Sequence, residues 1–401
     1  MMFFSNKFFN SIFPILHSLS EIRALKSIRD AIYSSFPAIA IGFILVFVFL
    51  NTKEKLNERA FEAFRGGLSF MAISVSFSLG AKLGKLWNIG WRASSILAFI
   101  LFFITFPKFD FHLIGLHHLF EYLSQGGLFV AIILSIVFLK FAQYLHEKIF
   151  INKCKEQLAT LLARCSAFFM LSGIMLLLAK FGIVIHDLMF KIFRPLMYAG
   201  DSLPWILIIV GLMNFMWVIG LHGSGIIGAI VMPLYLVMLQ NNFEAYTTGR
   251  ELLYIVTPPF LYLCFQGGSG STFPLLLYML RSKSVKLRKL AKTAFLPSLV
   301  NINEILIFGL PIVMNPILAF PFIAAPVIIC FINYIAFYFN MVEKIFVLVP
   351  FCIPIPILAY IVTGGDFKAL ILTIIDFIVI AILWRPFFKV YEKKVREDEV
   401  K

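Results

Sequence analysis

Two side chains stand where the surrounding sequence avoids them. Glu304 is the only charged residue between Thr293 and Val342. Between Ser202 and Phe243 there is no charged residue and a single histidine, His222. A carboxylate grips hydroxyl groups through charge-assisted hydrogen bonds, and an imidazole offers a donor and an acceptor. Between the two runs Gln266-Gly267-Gly268-Ser269-Gly270-Ser271-Thr272, and Asn301-Ile302-Asn303 leads into the glutamate. Glycines there let the backbone bend and a ligand come close. Amides, hydroxyls, one imidazole and one carboxylate suit a polyhydroxylated ligand such as a sugar. The candidate binding residues are therefore His222, Gly223, Gly268, Ser269, Asn301, Asn303 and Glu304. Glu304 is also the candidate catalytic group. Trp205, Trp217 and Tyr262 could stack on a sugar face, or serve only as packing and interfacial anchors. His222 has a plain alternative as a buried hydrogen-bonding residue, and the Gly-rich stretch as a flexible turn. It is not a nucleotide loop, because the Walker lysine pattern is absent.

The elements that must position these residues are membrane helices. The 401 residues are 61% apolar and 14% charged, with a mean hydropathy of +0.93. Soluble domains run at about half apolar and a quarter charged. A spanning helix needs about 20 mostly apolar residues. Candidate spans cover 31–50, 66–86, 91–106, 127–145, 158–180, 203–221, 251–266, 317–339, 344–363 and 367–388. The stretches 222–243 and 267–311 are apolar but interrupted by Gly, Pro and polar residues. They are expected to be re-entrant or broken, which a membrane tolerates only inside protein or beside a watery cavity. An ionisable group at a helix centre costs at least about 2.5–3.5 kcal/mol, so Glu304 calls for a function.

The net charge of +14 fits the positive-inside rule better than nucleic-acid binding. Arg281, Lys283, Lys286, Arg288, Lys289 and Lys292 form an acid-free basic run expected to face the cytoplasm, with both termini on the same side. The charged loop 51–65 conflicts with a simple count of spans. Residues 8–19 and 186–197 have amphipathic patterns expected of interfacial helices, or of short helices packed on protein. No signal peptide is evident. Five scattered cysteines are read as reduced packing thiols. His112, His117 and His118 cluster in an expected outer loop. No metal site and no cofactor is assigned. The expected division is 1–200, 201–345, 346–388 and a tail 389–401.

At these motifs the chain resembles the IIC permeases of the lactose–cellobiose–chitobiose branch of the bacterial phosphotransferase system (PTS). The residues that carry the likeness are Gly220-Leu221-His222-Gly223, Gly267 to Thr272, and above all Asn301 to Pro316. Ser27-Ile28-Arg29-Asp30, Gln125 to Ile133 and Asp201-Ser202-Leu203-Pro204 add to it in the family's order. The resemblance implies an all-α polytopic homodimer with about ten spans and two re-entrant hairpins. It implies an N-terminal dimerisation scaffold and a C-terminal transport domain that moves as an elevator. It implies that His222 and Glu304 contact the sugar, with Glu304 near the 6-hydroxyl that takes phosphate from a IIB protein. Ile305 stands where the family usually has proline, leaving a backbone donor and a free φ there.

The expected activity is uptake of a β-linked disaccharide through the cell membrane, with phosphorylation by a separate phospho-IIB partner at the inner face. Cys165-Ser166-Ala167 lacks the glycine loop of a IIB phosphocysteine. A second reading is a proton-coupled secondary transporter with Glu304 as the proton carrier. An intramembrane enzyme would need a nucleophile–base pair or a metal cluster, and neither is evident.

Overall fold

The structure, a computed structural model, describes residues 56–105, 127–153, 155–313 and 315–400, with scattered positions between 23 and 41. The expected helix 8–19, most of the span 31–50, the triad His112, His117 and His118, and Gln125-Gly126 lie outside the described residues. Every element among the described residues is helical. They are α1 (Leu56–Leu86), α2 (Trp91–Ile104), α3 (Gly127–Leu145), α4 (Glu156–Lys180), α5 (Ile185–Gly200), α6 (Leu203–Val218) and α7 (Gly223–Thr247). There follow α8 (Pro258–Leu263), α9 (Phe273–Leu280), α10 (Val285–Leu299), α11 (Glu304–Gly309), α12 (Pro316–Tyr338), α13 (Ile355–Val362) and α14 (Phe367–Val400). A π-turn at His146–Phe150 extends α3.

By length and composition, four described helices can cross a membrane: α3 with its π-turn, α4, α12 and α14. A bent pair, α5 and α6, makes a fifth if taken as one span. The structure corrects several local expectations. The expected loop 51–65 is helical from Leu56, so α1 begins almost three charged turns earlier than the span 66–86. The expected span 251–266 is helical only over α8, and 344–363 only over α13. Apolarity alone does not decide between helix and extended chain. The stretch 222–243 forms one 25-residue helix, α7, with Pro233 inside it. Gly223 and Gly225 fall in its first turn, where they interrupt nothing. The stretch 267–311, by contrast, breaks into α9, α10 and α11, as its composition predicts.

The chain forms two compact units. The first, Glu21–Leu196, contains α1 to α4 and most of α5. Here α1 and α2 pack closely because Gly80 and Gly84, four residues apart, present no side chain. A Cβ on Gly84 would stand 2.6 Å from Ser94 Cβ, and one on Gly80 2.9 Å from the Ser94 carbonyl. Small residues at this spacing let membrane helices approach on van der Waals terms. Arg164 of α4 donates to the Ile89 carbonyl at 2.9 Å, fixing the α1–α2 turn. Phe169, Met170, Ile174, Leu176 and Leu177 of α4 are all exposed. Such a face suits lipid or a second copy, not water. In α5, Phe193 stacks on Phe129 of α3 while Ile192 and Leu196 stay exposed.

The second unit contains Met197–Lys401. Its core joins α9, α10, α11, α12 and α14 around Leu276, Phe322, Ile329 and Trp384. At about 1.5 Å per residue, α14 is longer than a bilayer's hydrocarbon core needs. Its charged end turns back on the basic run. Glu399 accepts from Ser284 Oγ (2.7 Å) and the Lys286 amide (3.0 Å), and Glu392 accepts from the Lys283 amide (2.9 Å). Ser284 in turn caps α10 by accepting from Leu287 N. The basic run and the end of α14 therefore lie on one side.

The close contact of α1 with α2 has a measurable consequence. Gly84→Leu overpacks it and should cost about 1–3 kcal/mol. Thermal unfolding in detergent should show a lower Tm, whereas Gly173→Ala, at a site with nothing within 4 Å, should leave it unchanged or raised.

Candidate functional site

The site is built around Gln266–Thr272, a loop between α8 and α9 whose backbone cannot follow a helix. Gly267, Gly268, Gly270 and Ser271 all have positive φ. Two of these glycines are also required by close approach. A Cβ on Gly268 (φ +96°) would stand 2.4 Å from Asn303 Oδ1, and one on Gly270 (φ +76°) 2.1 Å from Phe322 Cδ2. A loop of this kind leaves backbone groups that no helix satisfies, and each costs free energy if buried unpaired.

Side-chain amides take up that task. Asn214 on α6 accepts from the Gly270 amide at 2.8 Å. Asn301 accepts from the Gly267 amide at 3.1 Å and donates to the Phe351 and Ile353 carbonyls, both at 2.8 Å. Asn303 donates to the Ser269 carbonyl at 2.6 Å and to Thr272 Oγ1 at 2.7 Å. Gln266 donates to the Thr373 carbonyl of α14 at 2.9 Å, and the Trp384 indole donates to the Ser271 carbonyl at 3.2 Å. Both amide hydrogens of Asn301 and of Asn303 are thus committed to this scaffold. Sequence reasoning grouped these two with the binding residues; their visible work is to hold the loop.

His222 sits at the N-cap of α7, exposed, with Nδ1 accepting from the Gly225 amide at 2.9 Å. That bond places the hydrogen of the neutral ring on Nε2. The ring lies 4.3 Å from the Trp217 ring. Trp217 donates to Ser224 Oγ at 3.3 Å, and Ser224 Oγ lies 3.2 Å from Ser269 Oγ in the loop. Gly223 is buried, and a Cβ there would meet the Met213 carbonyl at 1.9 Å, so this glycine lets α7 start against α6.

Glu304 begins α11 with its side chain exposed. Its carboxylate has no hydrogen bond or ion pair with any described residue. Four residues on, Phe308 shares its helix face and meets Trp217 edge-on at 6.4 Å. His222, Trp217, Ser224, Ser269 and Phe308 are therefore linked by direct contacts, in four separate pieces of chain, and Glu304 stands one helical turn before Phe308. Of the three aromatics singled out, Trp217 is part of this constellation. Tyr262 packs on Phe351, and Trp205 faces Tyr235. Sequence reasoning did not single out Asn214, Ser224 or Trp384. Asn214 had a signal, since it is the one amide in the apolar α6.

The comparisons decide the family. The family model "Phosphotransferase system, EIIC" matches residues 29–326, well over half of the chain. The chain belongs to the phosphotransferase system EIIC family. It is a membrane permease component of such a system, and its apolar helices make it a multi-pass membrane protein. It is similar to the cellobiose-specific PTS EIIC component of Geobacillus stearothermophilus, 28% identical over 97% of this chain and 94% of that protein. It is 27% identical to the oligo-beta-mannoside-specific PTS EIIC component of Bacillus subtilis (strain 168), over 95% of this chain and 92% of the other. The lactose-specific PTS EIICB component of Staphylococcus epidermidis is 25% identical, over 96% of this chain and 70% of that one. Among solved structures, the EIIC fold is matched by the transporter ChbC, the IIC component from the N,N′-diacetylchitobiose-specific phosphotransferase system. That match has a TM-score of 0.84 and 25% identity, covering 98% of this chain and 99% of that one.

The loop scaffold can be tested at Asn303. Asn303→Asp is isosteric but turns two donors into an anion facing the Ser269 carbonyl. It should lose two hydrogen bonds and lower sugar affinity by about tenfold or more. Isothermal titration on protein that still elutes as a single species would measure this.

Proposed function

We propose that this EIIC chain takes up a β-linked disaccharide and presents it at the inner face to phospho-IIB, which phosphorylates it. The observation that carries the reading is the exposed, unpartnered Glu304 carboxylate, one helical turn before Phe308, which meets Trp217 beside His222 and the Ser224–Ser269 pair. A lone carboxylate, a histidine and hydroxyls beside an indole make a surface for a neutral polyol. The substrates in the names of the relatives, cellobiose, oligo-β-mannosides, lactose and N,N′-diacetylchitobiose, share a β-linkage between hexose units. The EIICB naming of some relatives supports IIB as the phosphoryl donor.

In this reading Glu304 orients the sugar's 6-hydroxyl and accepts its proton as the phosphoryl group arrives, so catalysis here is positioning. His222 donates from Nε2 to a hydroxyl. Ser269 and the backbone at Gly268 and Gly223 line the site. Asn301 and Asn303 act through the loop they hold. Ile305 leaves that position's backbone N–H present beside Glu304.

The wider architecture belongs to the same proposal. It comprises about ten spans with two re-entrant hairpins, a homodimer through residues 1–200, a moving transport domain over 201–345, further spans over 346–388 and a cytoplasmic tail over 389–401. The exposed apolar face of α4 supports a lipid or dimer contact in the first of these. The C-terminus is assigned to the cytoplasm on the strength of the basic run and the end of α14 that clasps it, and the N-terminus on that of Arg23, Lys26 and Arg29.

Uptake into membrane vesicles should require phospho-IIB and yield phosphorylated sugar. Concentration of unmodified sugar by a proton gradient alone would instead establish the secondary-transport alternative. Glu304→Gln should weaken sugar binding by about 1.5–3 kcal/mol and nearly abolish phosphorylation, with His222→Ala weakening binding less. Parental behaviour of Glu304→Gln would make the carboxylate structural.

Orientation is checked independently. Lys283 is exposed, so Lys283→Cys in intact cells should resist a membrane-impermeant thiol reagent and react once the cells are opened. Ready labelling from outside would reverse the assigned topology.

A further inference from the structure

A second carboxyl in the same unit plays no part in the site above. Asp376 is the only charged residue between Lys368 and Arg385, in the spanning part of α14, and its side chain is 0% exposed. Neither carboxyl oxygen has a hydrogen-bond partner. The side chain facing it is Asn333 on α12, also fully buried. Both the amide nitrogen and the amide oxygen of Asn333 likewise lack partners, so the pair does not quite reach hydrogen-bonding geometry in this structure. Cys264, at the end of α8, and Cys330, one turn before Asn333, are the nearby titratable groups. Of the other helices packed on α14, α9 presents Tyr278, whose hydroxyl donates to the Ala381 carbonyl, and α13 presents the exposed Tyr360. No lysine, arginine or histidine among the described residues faces Asp376.

Four buried polar atoms on two facing side chains are thus unmatched together. An ionised carboxylate would leave the Asn333 oxygen with no donor and a charge with no counter-ion, and buried charges neutralise rather than persist unpaired. One proton resolves all four atoms. The acid O–H donates to Asn333 Oδ1, and Asn333 Nδ2 donates to the acid's carbonyl oxygen. A metal cation fits less well, because hard cations take about six or more oxygen ligands. Two carboxyl oxygens and one amide oxygen are on offer here.

We propose that Asp376 and Asn333 bind one proton between them, as a carboxylic acid–carboxamide pair that clasps α12 to α14 behind the Gln266–Thr272 loop. The position gives the clasp its consequence. The loop is tied to α14 at the Thr373 carbonyl, one turn before Asp376, and at Trp384, two turns after it. It rests on α12 through Gly270 against Phe322. The register of α12 against α14 therefore sets where the loop stands. Asp376 and Asn333 are positioning residues for the sugar site, a role that rests on the function proposed above; the proton-holding state does not.

The test has two arms, on full-length protein in lipid nanodiscs. In the first, infrared spectra of the parent labelled with ¹³C-aspartate, in mildly alkaline buffer, should show a protonated-acid carbonyl band. That band should be lost in Asp376→Asn and shifted in Asn333→Leu. If only ionised aspartate is found in the parent, the proposal is overturned, whether or not any variant folds. In the second, Asp376→Asn should keep the parental Tm and sugar affinity, because two amides make the same cyclic pair without the proton. Asn333→Leu should lower the Tm and weaken sugar binding several-fold. A Tm of the parent that rises with Na⁺ or K⁺, and ceases to do so in Asp376→Asn, would make this a cation site and sink the proton assignment. An infrared acid band with unchanged sugar affinity in Asn333→Leu would retain the proton but reject the positioning role.

Discussion

The second unit depends on one constraint: where helices break inside a membrane protein, something other than water must satisfy the freed backbone groups. Side-chain amides do it almost throughout. Asn214, Asn301, Asn303 and Gln266 hold the glycine loop. Asn242 does the same for the irregular segments beyond α7 and α12, donating to the Tyr254 and Ile345 carbonyls and accepting from the Tyr254 amide. Asp201 accepts from the Ile255 and Val256 amides. An amide carries donors and an acceptor without charge, so it can stand in for a backbone partner at little desolvation cost.

That economy isolates the charged groups. With the loop stabilised by neutral side chains, Glu304 is left exposed on a short helix with nothing to neutralise it. His222 is shaped by its cap: the Gly225 amide occupies Nδ1, so the ring's hydrogen is presented from Nε2. Trp217 lies between His222 and Phe308, buried, with a hydrogen bond to Ser224 that orients the indole. The candidate site is thus hydrogen-bonded where it is neutral and open where it is charged, an arrangement suited to a ligand that supplies many hydroxyls.

The first unit obeys the same solvent differently. Its helices meet through small residues, Gly80 and Gly84 on Ser94, and α4 turns a broad apolar face outward. In hydrocarbon an exposed Phe169 or Leu176 costs nothing, so packing there is decided by shape rather than by hiding apolar surface.

The sequence by itself determined the solvent and the helical class, and it singled out the residues of the candidate site. Hydropathy is a sum over residues, and Glu304, His222 and the glycine run stand out against an apolar background without any knowledge of contacts. It also marked 267–311 as broken, because Gly and polar residues act locally. The tertiary structure decided what depends on partners distant in sequence. Apolar segments 251–266 and 344–363 stay largely non-helical because Asn242, Asp201 and Asn301 take up their backbone groups. Asn301 and Asn303 hold the loop because their amides find carbonyls in it and beyond it. Asp376 was hidden in an apolar run that read as an ordinary span. Its importance comes from a complementary amide 43 positions earlier in the chain, and no local pattern could reveal that pairing.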